Sequence, residues 1–213
     1  KSYLTIITGI PSHGKGELID YIIIQLRRLS NWKGALFSPE NEPTQLHFSK
    51  FCRKIIGKHW EGENRITLKE LAMVEAYLDN YIFFIKPEKD FTLETILNSV
   101  KDTHLRYGLD WYVIDPWNKL DHKYTTTETK YISESLDAII RFNKVYNLHC
   151  FLVAHPTKIN KDRQTGMFEI PNLYSINGSS HFYNKADNGI TVYRDFQKGT
   201  TLIYRQKVKF DHW

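Results

Sequence analysis

Two periods of hydrophobicity alternate along this chain. Short apolar runs at 3–8, 34–38, 81–85, 111–115, 148–154, 189–194 and 201–207 have strand length. Between them, 15–30, 43–57, 67–79, 92–107 and 127–147 carry apolar residues three and four apart, the spacing of one helix face. The first of these helices has Leu18, Ile19, Ile22, Ile23 and Leu26 on its apolar side and closes on Arg27 and Arg28, where positive charge suits the helix dipole. The runs Trp111–Asp115 and Leu148–Ala154 are apolar over most of their length, as strands covered on both faces must be. Alternating strands and helices of this kind predict an α/β fold, a mostly parallel twisted sheet flanked by helices. Phe196-Gln197-Lys198-Gly199 is a hairpin-length link, which predicts an antiparallel C-terminal edge.

Composition narrows the class without naming a function. A chain of 213 residues with 41% hydrophobic and 25% charged residues has material for one domain with a sizeable core. The reading is a single domain over 1–213, cut from a longer protein because Lys1 stands so near the first strand. No apolar run reaches the roughly 18 residues a membrane span needs, so no membrane role is expected. Two cysteines without CxxC spacing fit a reducing compartment, and nine scattered histidines offer no zinc spacing. The net charge of +5 permits a polyanionic partner but is weak evidence alone.

Chemistry enters directly after the first strand. Gly9-Ile10-Pro11-Ser12-His13-Gly14-Lys15-Gly16 fits the phosphate-cradling pattern G-x-x-x-x-G-K-[ST] except at its last position. Glycines let successive backbone N–H groups turn towards phosphate oxygens, the helix N-terminus favours anions, and the lysine meets the outer phosphates. The final Ser or Thr normally places a hydroxyl on Mg²⁺, and here it is Gly16. Pro11 to Glu17 are therefore the candidate nucleotide-binding residues, with binding expected and hydrolysis open.

Ligands of such sheets lie beyond the C-terminal strand ends, where three further candidates fall. Asp115 follows a buried strand and suits a Mg²⁺ ligand, the alternative being a helix-capping carboxylate. Glu40 can polarise the attacking water or, with Glu42, form a solvated acidic turn. His155 can face a γ-phosphate or be a structural histidine. The polar loop 156–171 carries Lys158, Lys161 and Arg163, cations suited to a nucleic-acid backbone. The aromatic residues of 59–84 read as packing rather than a base-stacking platform.

The ordered set resembles the RecA-fold motor domain of DnaB-type replicative helicases, nearest the Twinkle and phage primase-helicase branch. The matching pieces are the glycine loop, Phe37-Ser38-Pro39-Glu40-Asn41, Tyr112-Val113-Ile114-Asp115-Pro116 and Leu152-Val153-Ala154-His155-Pro156, then Asn177-Gly178-Ser179-Ser180 through Asn188, and Lys207-Val208-Lys209-Phe210. The resemblance implies a RecA-like P-loop fold and a homo-oligomeric ring, usually a hexamer, although the isolated domain can be monomeric. It also implies hydrolysis of ATP, or another NTP or dNTP, with Mg²⁺ at subunit interfaces during movement along single-stranded DNA, in the cytoplasm of a bacterial or phage-infected cell. Carried over, Lys15 binds the outer phosphates, Asp115 holds Mg²⁺, Glu40 activates water and His155 senses the γ-phosphate. Arg194 faces the base, and Lys207 with Lys209 is the basic pair that reaches a neighbour's site.

Lys209 stands where that family has a finger arginine, so the planar bidentate fork is lost. Such an arginine is worth roughly 10³–10⁵ in rate. Arg205, in a regular strand, shares a face with Lys207 and Lys209. A non-hydrolysing nucleotide-binding assembly module of the same fold, and a recombination protein that shares it, remain the alternatives to a motor.

Overall fold

The computed structural model describes residues 1–124, 126–157, 161, 168–176 and 180–209. β1 (Leu4–Thr8) is buried at every position because it has a parallel strand on each side and helices above and below. Its neighbours are β5 (His149–Val153) and β6 (Asn188–Asp195). The sheet continues outwards from β5 through β4 (Trp111–Ile114) and β2 (Gly34–Phe37) to β3 (Ile82–Phe84), all parallel. On the other side β7 (Thr200–Val208) runs antiparallel to β6, which gives the order β3-β2-β4-β5-β1-β6-β7. The fold class and the antiparallel edge expected from the sequence are both present.

Two apolar layers cover the sheet. On one face α1 (Lys15–Ser30), α2 (Thr44–Ile56) and α3 (Leu68–Leu78) pack Ile19, Ile23, Phe51 and Val74 against Ile7, Leu36 and Val153. On the other, α4 (Leu93–Tyr107), α5 (Glu128–Tyr146) and the short α6 (His181–Lys185) bring Ile96, Leu136 and Phe182 onto Leu4, Ile6 and Leu152. Helix ends follow local chemistry. Thr67, Thr92 and Thr127 cap α3, α4 and α5 through their hydroxyls, and left-handed Asn31, Gly57, Gly108 and Asn147 end α1, α2, α4 and α5. Close packing needs glycine at Gly34, where a Cβ would fall 2.0 Å from the buried Trp111 ring.

One expectation about the edge is corrected. Gly189 pairs with Lys207 but Ile190 pairs with Arg205, so Gln206 is an extra residue in a β-bulge. Cross-strand partners share a face and adjacent residues do not, so Arg205 lies on the Ile190 side and Lys207 on the Gly189 side. Arg205 therefore does not share a face with Lys207.

Candidate functional site

The C-terminal ends of β1, β5, β4 and β2, four neighbours in the sheet, open onto one place. After β1 the chain turns through Gly9, whose φ of +148° and closeness to β6 exclude a side chain, since a Cβ would lie 2.3 Å from the Val192 carbonyl oxygen. Pro11 and Ser12 form the exposed apex, Ser12 with φ +65°. Gly14, at φ +99°, begins α1 without a side-chain cap, so the first-turn N–H groups are left to an anion.

Lys15 is 6% exposed and donates from Nζ to the carbonyl oxygens of Gly9 (2.8 Å) and Ile10 (3.0 Å). Burial lowers its pKa to about 8, against the opposing pull of Asp115 and Glu40. Asp115 is also buried, and its pKa is raised to about 6 by that burial and by repulsion from Glu40 and Asp20, with His47 and Lys15 working the other way. Glu40, exposed on a short 3₁₀ turn after β2, lies 3.7 Å from Lys119. The His155 backbone N–H donates to Asn118 Oδ1, and burial and then Lys15 lower the pKa of its ring. Lys15, Glu40, Asp115 and His155, separate in sequence, thus share one electrostatic neighbourhood.

Gly16 has an ordinary helical backbone, and a Cβ there would meet only Asp115 Oδ2, at 3.7 Å. Glu17 points outwards to Lys54 at 2.6 Å. His13 is buried, accepts from the Arg194 N–H at Nδ1 (3.0 Å) and packs against the Tyr193 and Phe196 rings. This ties the glycine loop to the β6–β7 hairpin and sets the exposed Arg194 guanidinium 5.3 Å from the Phe196 ring centre.

The basic pair is engaged within its own chain. Lys207 donates to the Tyr183 and Asn184 carbonyls, and Lys209 lies 2.6 Å from Asp187. Of the loop cations, Lys161 sits over the Phe168 ring, while Lys158 and Arg163 fall outside the described residues.

Several neighbours were not read from sequence. Asp20 and His47 form a buried pair at 2.7 Å, with Lys54 completing it at 3.0 Å. The available signal was a carboxylate inside the otherwise apolar face of α1. Lys50, Arg53, Lys54 and Lys58 line a cleft of about 550 Å³ with Arg194. The spacing of Lys50, Arg53 and Lys54 by three and four along α2 was the clue to it.

Mg²⁺ is the ion the motif implies, and the donors suit it. Asp115 and the nearby Ser38 hydroxyl are hard oxygen groups, and a cation would relieve the crowding of like charge around Asp115. Among the described residues no group of three or more His, Cys, Asp or Glu could hold a metal alone.

The fold is that of RecA-like helicase domains. An ATPase domain of known structure superposes with a TM-score of 0.76 at 16% identity, over 98% of this chain and 78% of that one. A DnaB-like replicative helicase, described with its interactions with primase, gives 0.74 at 16% identity over 98% and 54%. In sequence, the chain is 39% identical over 202 residues to the Twinkle homolog protein, chloroplastic/mitochondrial, of Arabidopsis thaliana. The resemblance to DnaB- and Twinkle-type helicase motor domains read from the motifs therefore holds. The match covers 90% of this chain and 28% of that protein. No family model matches. A bacterial or phage setting gains no support from a chloroplastic/mitochondrial relative, and among the described residues no helix is long and apolar enough to cross a membrane.

Proposed function

We propose that this chain is the motor domain of a replicative DNA helicase, binding Mg²⁺ and a nucleoside triphosphate at the glycine loop. In this reading hydrolysis occurs at subunit interfaces of a ring and is coupled to movement on single-stranded DNA. The observation that carries the proposal is the convergence of Lys15, Glu40, Asp115 and His155 at neighbouring strand ends.

The free site is arranged for exchange. Lys15 leaves the Gly9 and Ile10 carbonyls, which it can do because a phosphate offers its buried ammonium a better partner. The uncapped N–H groups of α1 take further phosphate oxygens. Asp115 is the residue that would hold Mg²⁺, which would supply neutralisation of charge developing on the phosphates. Glu40, released from its loose contact with Lys119, orients the attacking water and accepts its proton. His155 directly precedes, in sequence, the segment bearing Lys158, Lys161 and Arg163, so a change in its contacts can be passed to a DNA strand bound by those cations. Arg194 and Phe196 offer a cation and a ring to the base. Lys207 and Lys209 act in a neighbour's site after leaving their own acceptors.

Phosphate release is measured with Mg-ATP and single-stranded DNA, and unwinding with a forked duplex. Turnover above a Lys15→Ala control is expected, and its absence sinks the motor reading. The second reading, a nucleotide-binding assembly module with little chemistry, is favoured by Gly16 and by Lys209 being held on Asp187. It predicts nucleotide binding with no release above that control.

A further inference from the structure

The glycine loop lacks its hydroxyl at Gly16, and a hydroxyl stands next to the same place on another strand. β2 and β4 run side by side with Phe37 opposite Ile114, and the Asp115 N–H donates to the Phe37 carbonyl at 2.9 Å. This register sets Ser38 beside Asp115. Ser38 Oγ lies 3.5 Å from Asp115 Oδ2, the oxygen that a Cβ on Gly16 would approach to 3.7 Å. A side chain at position 16 and the actual side chain of Ser38 thus converge on one carboxylate oxygen.

The Ser38 hydroxyl is also oriented. Asn41 Nδ2 donates to it at 2.7 Å, and Asn41 is itself fixed by Lys50, whose Nζ donates to Asn41 Oδ1 at 2.6 Å. With Asn41 occupying one lone pair, the second is left for a cation, while the O–H proton can turn to a phosphate or water oxygen. We propose that Ser38 supplies the Mg²⁺-directed hydroxyl that Gly16 cannot, so that the metal site is built from β2 and β4 instead of from the glycine loop and β4. This rests on the reading of the site as one for Mg-nucleotide. It makes the loop's departure at Gly16 a relocation of one ligand.

The test is binding, free of any turnover. Affinity for a fluorescent non-hydrolysable ATP analogue is measured in Mg²⁺ and in EDTA, and the ratio of the two Kd values reports the metal's contribution. Ser38→Ala should reduce that ratio about tenfold, the lower end of what supporting groups at metal sites are worth, while the Kd in EDTA stays unchanged. Ser38→Thr should keep the ratio. Gly16→Ser should restore it in the Ser38→Ala background and add much less to the native chain. A ratio unmoved by Ser38→Ala, or equal effects of Gly16→Ser in both backgrounds, overturns the proposal. Mn²⁺ in place of Mg²⁺, followed by electron paramagnetic resonance in the nucleotide complex, reads the ligand change directly and should differ between native and Ser38→Ala chains. If the native chain binds the analogue in neither condition, the Mg-nucleotide reading itself fails. Binding in EDTA with no gain from Mg²⁺ overturns the Ser38 assignment and the metal part of that reading, and leaves nucleotide binding standing; a gain from Mg²⁺ that Ser38→Ala does not reduce overturns the Ser38 assignment alone.

Discussion

Lys15 should make the nucleotide-free protein less stable than it could be. The ammonium is buried against two carbonyl oxygens, and its pKa is about 8 in place of 10.5. At about 1.4 kcal/mol per pKa unit, holding that charge in the fold costs about 3 kcal/mol at neutral pH. Lys15→Met keeps most of the apolar stem and removes the charge. It also surrenders the two hydrogen bonds, each worth about 0.5–1.5 kcal/mol, which leaves a net gain of at most about 2 kcal/mol.

The sign follows from proton counting. The unfolded lysine keeps its proton to about pH 10.4, whereas the folded one loses it near 8. Between those values the unfolded state binds more protons, so native stability rises with pH. The gap between variant and native should accordingly be widest at pH 7 and narrow towards pH 10. Urea unfolding of both chains at pH 7, 8.5 and 10 measures it. A less stable Lys15→Met at pH 7, or a gap that does not narrow, refutes the reasoning. The same variant should lose the stabilisation that Mg-ATP gives the native chain, about 2.7 kcal/mol at a hundred times Kd, visible as an absent Tm shift.

Asp115→Asn should also stabilise the free protein at pH 7, by up to about 3 kcal/mol, because it removes a buried carboxylate crowded by Glu40 and Asp20. It should also abolish the Mg²⁺-dependent part of nucleotide affinity, checked by the same unfolding and binding titrations. His149, half-buried at the start of β5, has its pKa pushed down by desolvation to about 4. The unfolded imidazole takes its proton near pH 6.5, so stability should fall by about 3 kcal/mol between pH 6.5 and 4 from this residue. His149→Asn should flatten that part of the native profile. Gly34→Ala drives a Cβ into the Trp111 ring and should cost at least about 1–3 kcal/mol in the urea midpoint. Trp111→Leu in the same chain should recover part of that loss.

What the sequence revealed depended on whether one residue's neighbours sufficed to read it. The seven strands and five long helices were legible because each repeats its own period over several residues. α6, with five residues, has too few turns to show one. Lys15 could be singled out from the glycine-loop pattern, and Glu40, Asp115 and His155 because ligands gather beyond C-terminal strand ends, a rule that needs only strand boundaries. The partnership of Ser38 with Asp115 needs the β2–β4 register, and that of Asp20 with His47 needs the crossing of α1 and α2. Neither is written in any local stretch. The bulge at Gln206 was invisible for a related reason, since Arg205-Gln206-Lys207 contains no glycine or other turn residue to mark it.

That bulge divides the late basic residues between two environments. Arg205 is directed towards the α1 side, beside Ile190 and Trp32, where a groove of about 600 Å³ runs past the starts of β1 and β5. Lys207 borders the same groove but turns its ammonium to the α6 side, onto the Tyr183 and Asn184 carbonyls. An arginine is therefore already present in this strand, two residues from the basic pair, and cannot serve in it without unthreading the bulge. In the ring proposed above, the economical way to offer a guanidinium to a neighbour is Lys209→Arg, at the position that now pairs with Asp187. The sheet edge has fixed which position is open to improvement, and it did so by gaining one residue rather than by choosing a charge.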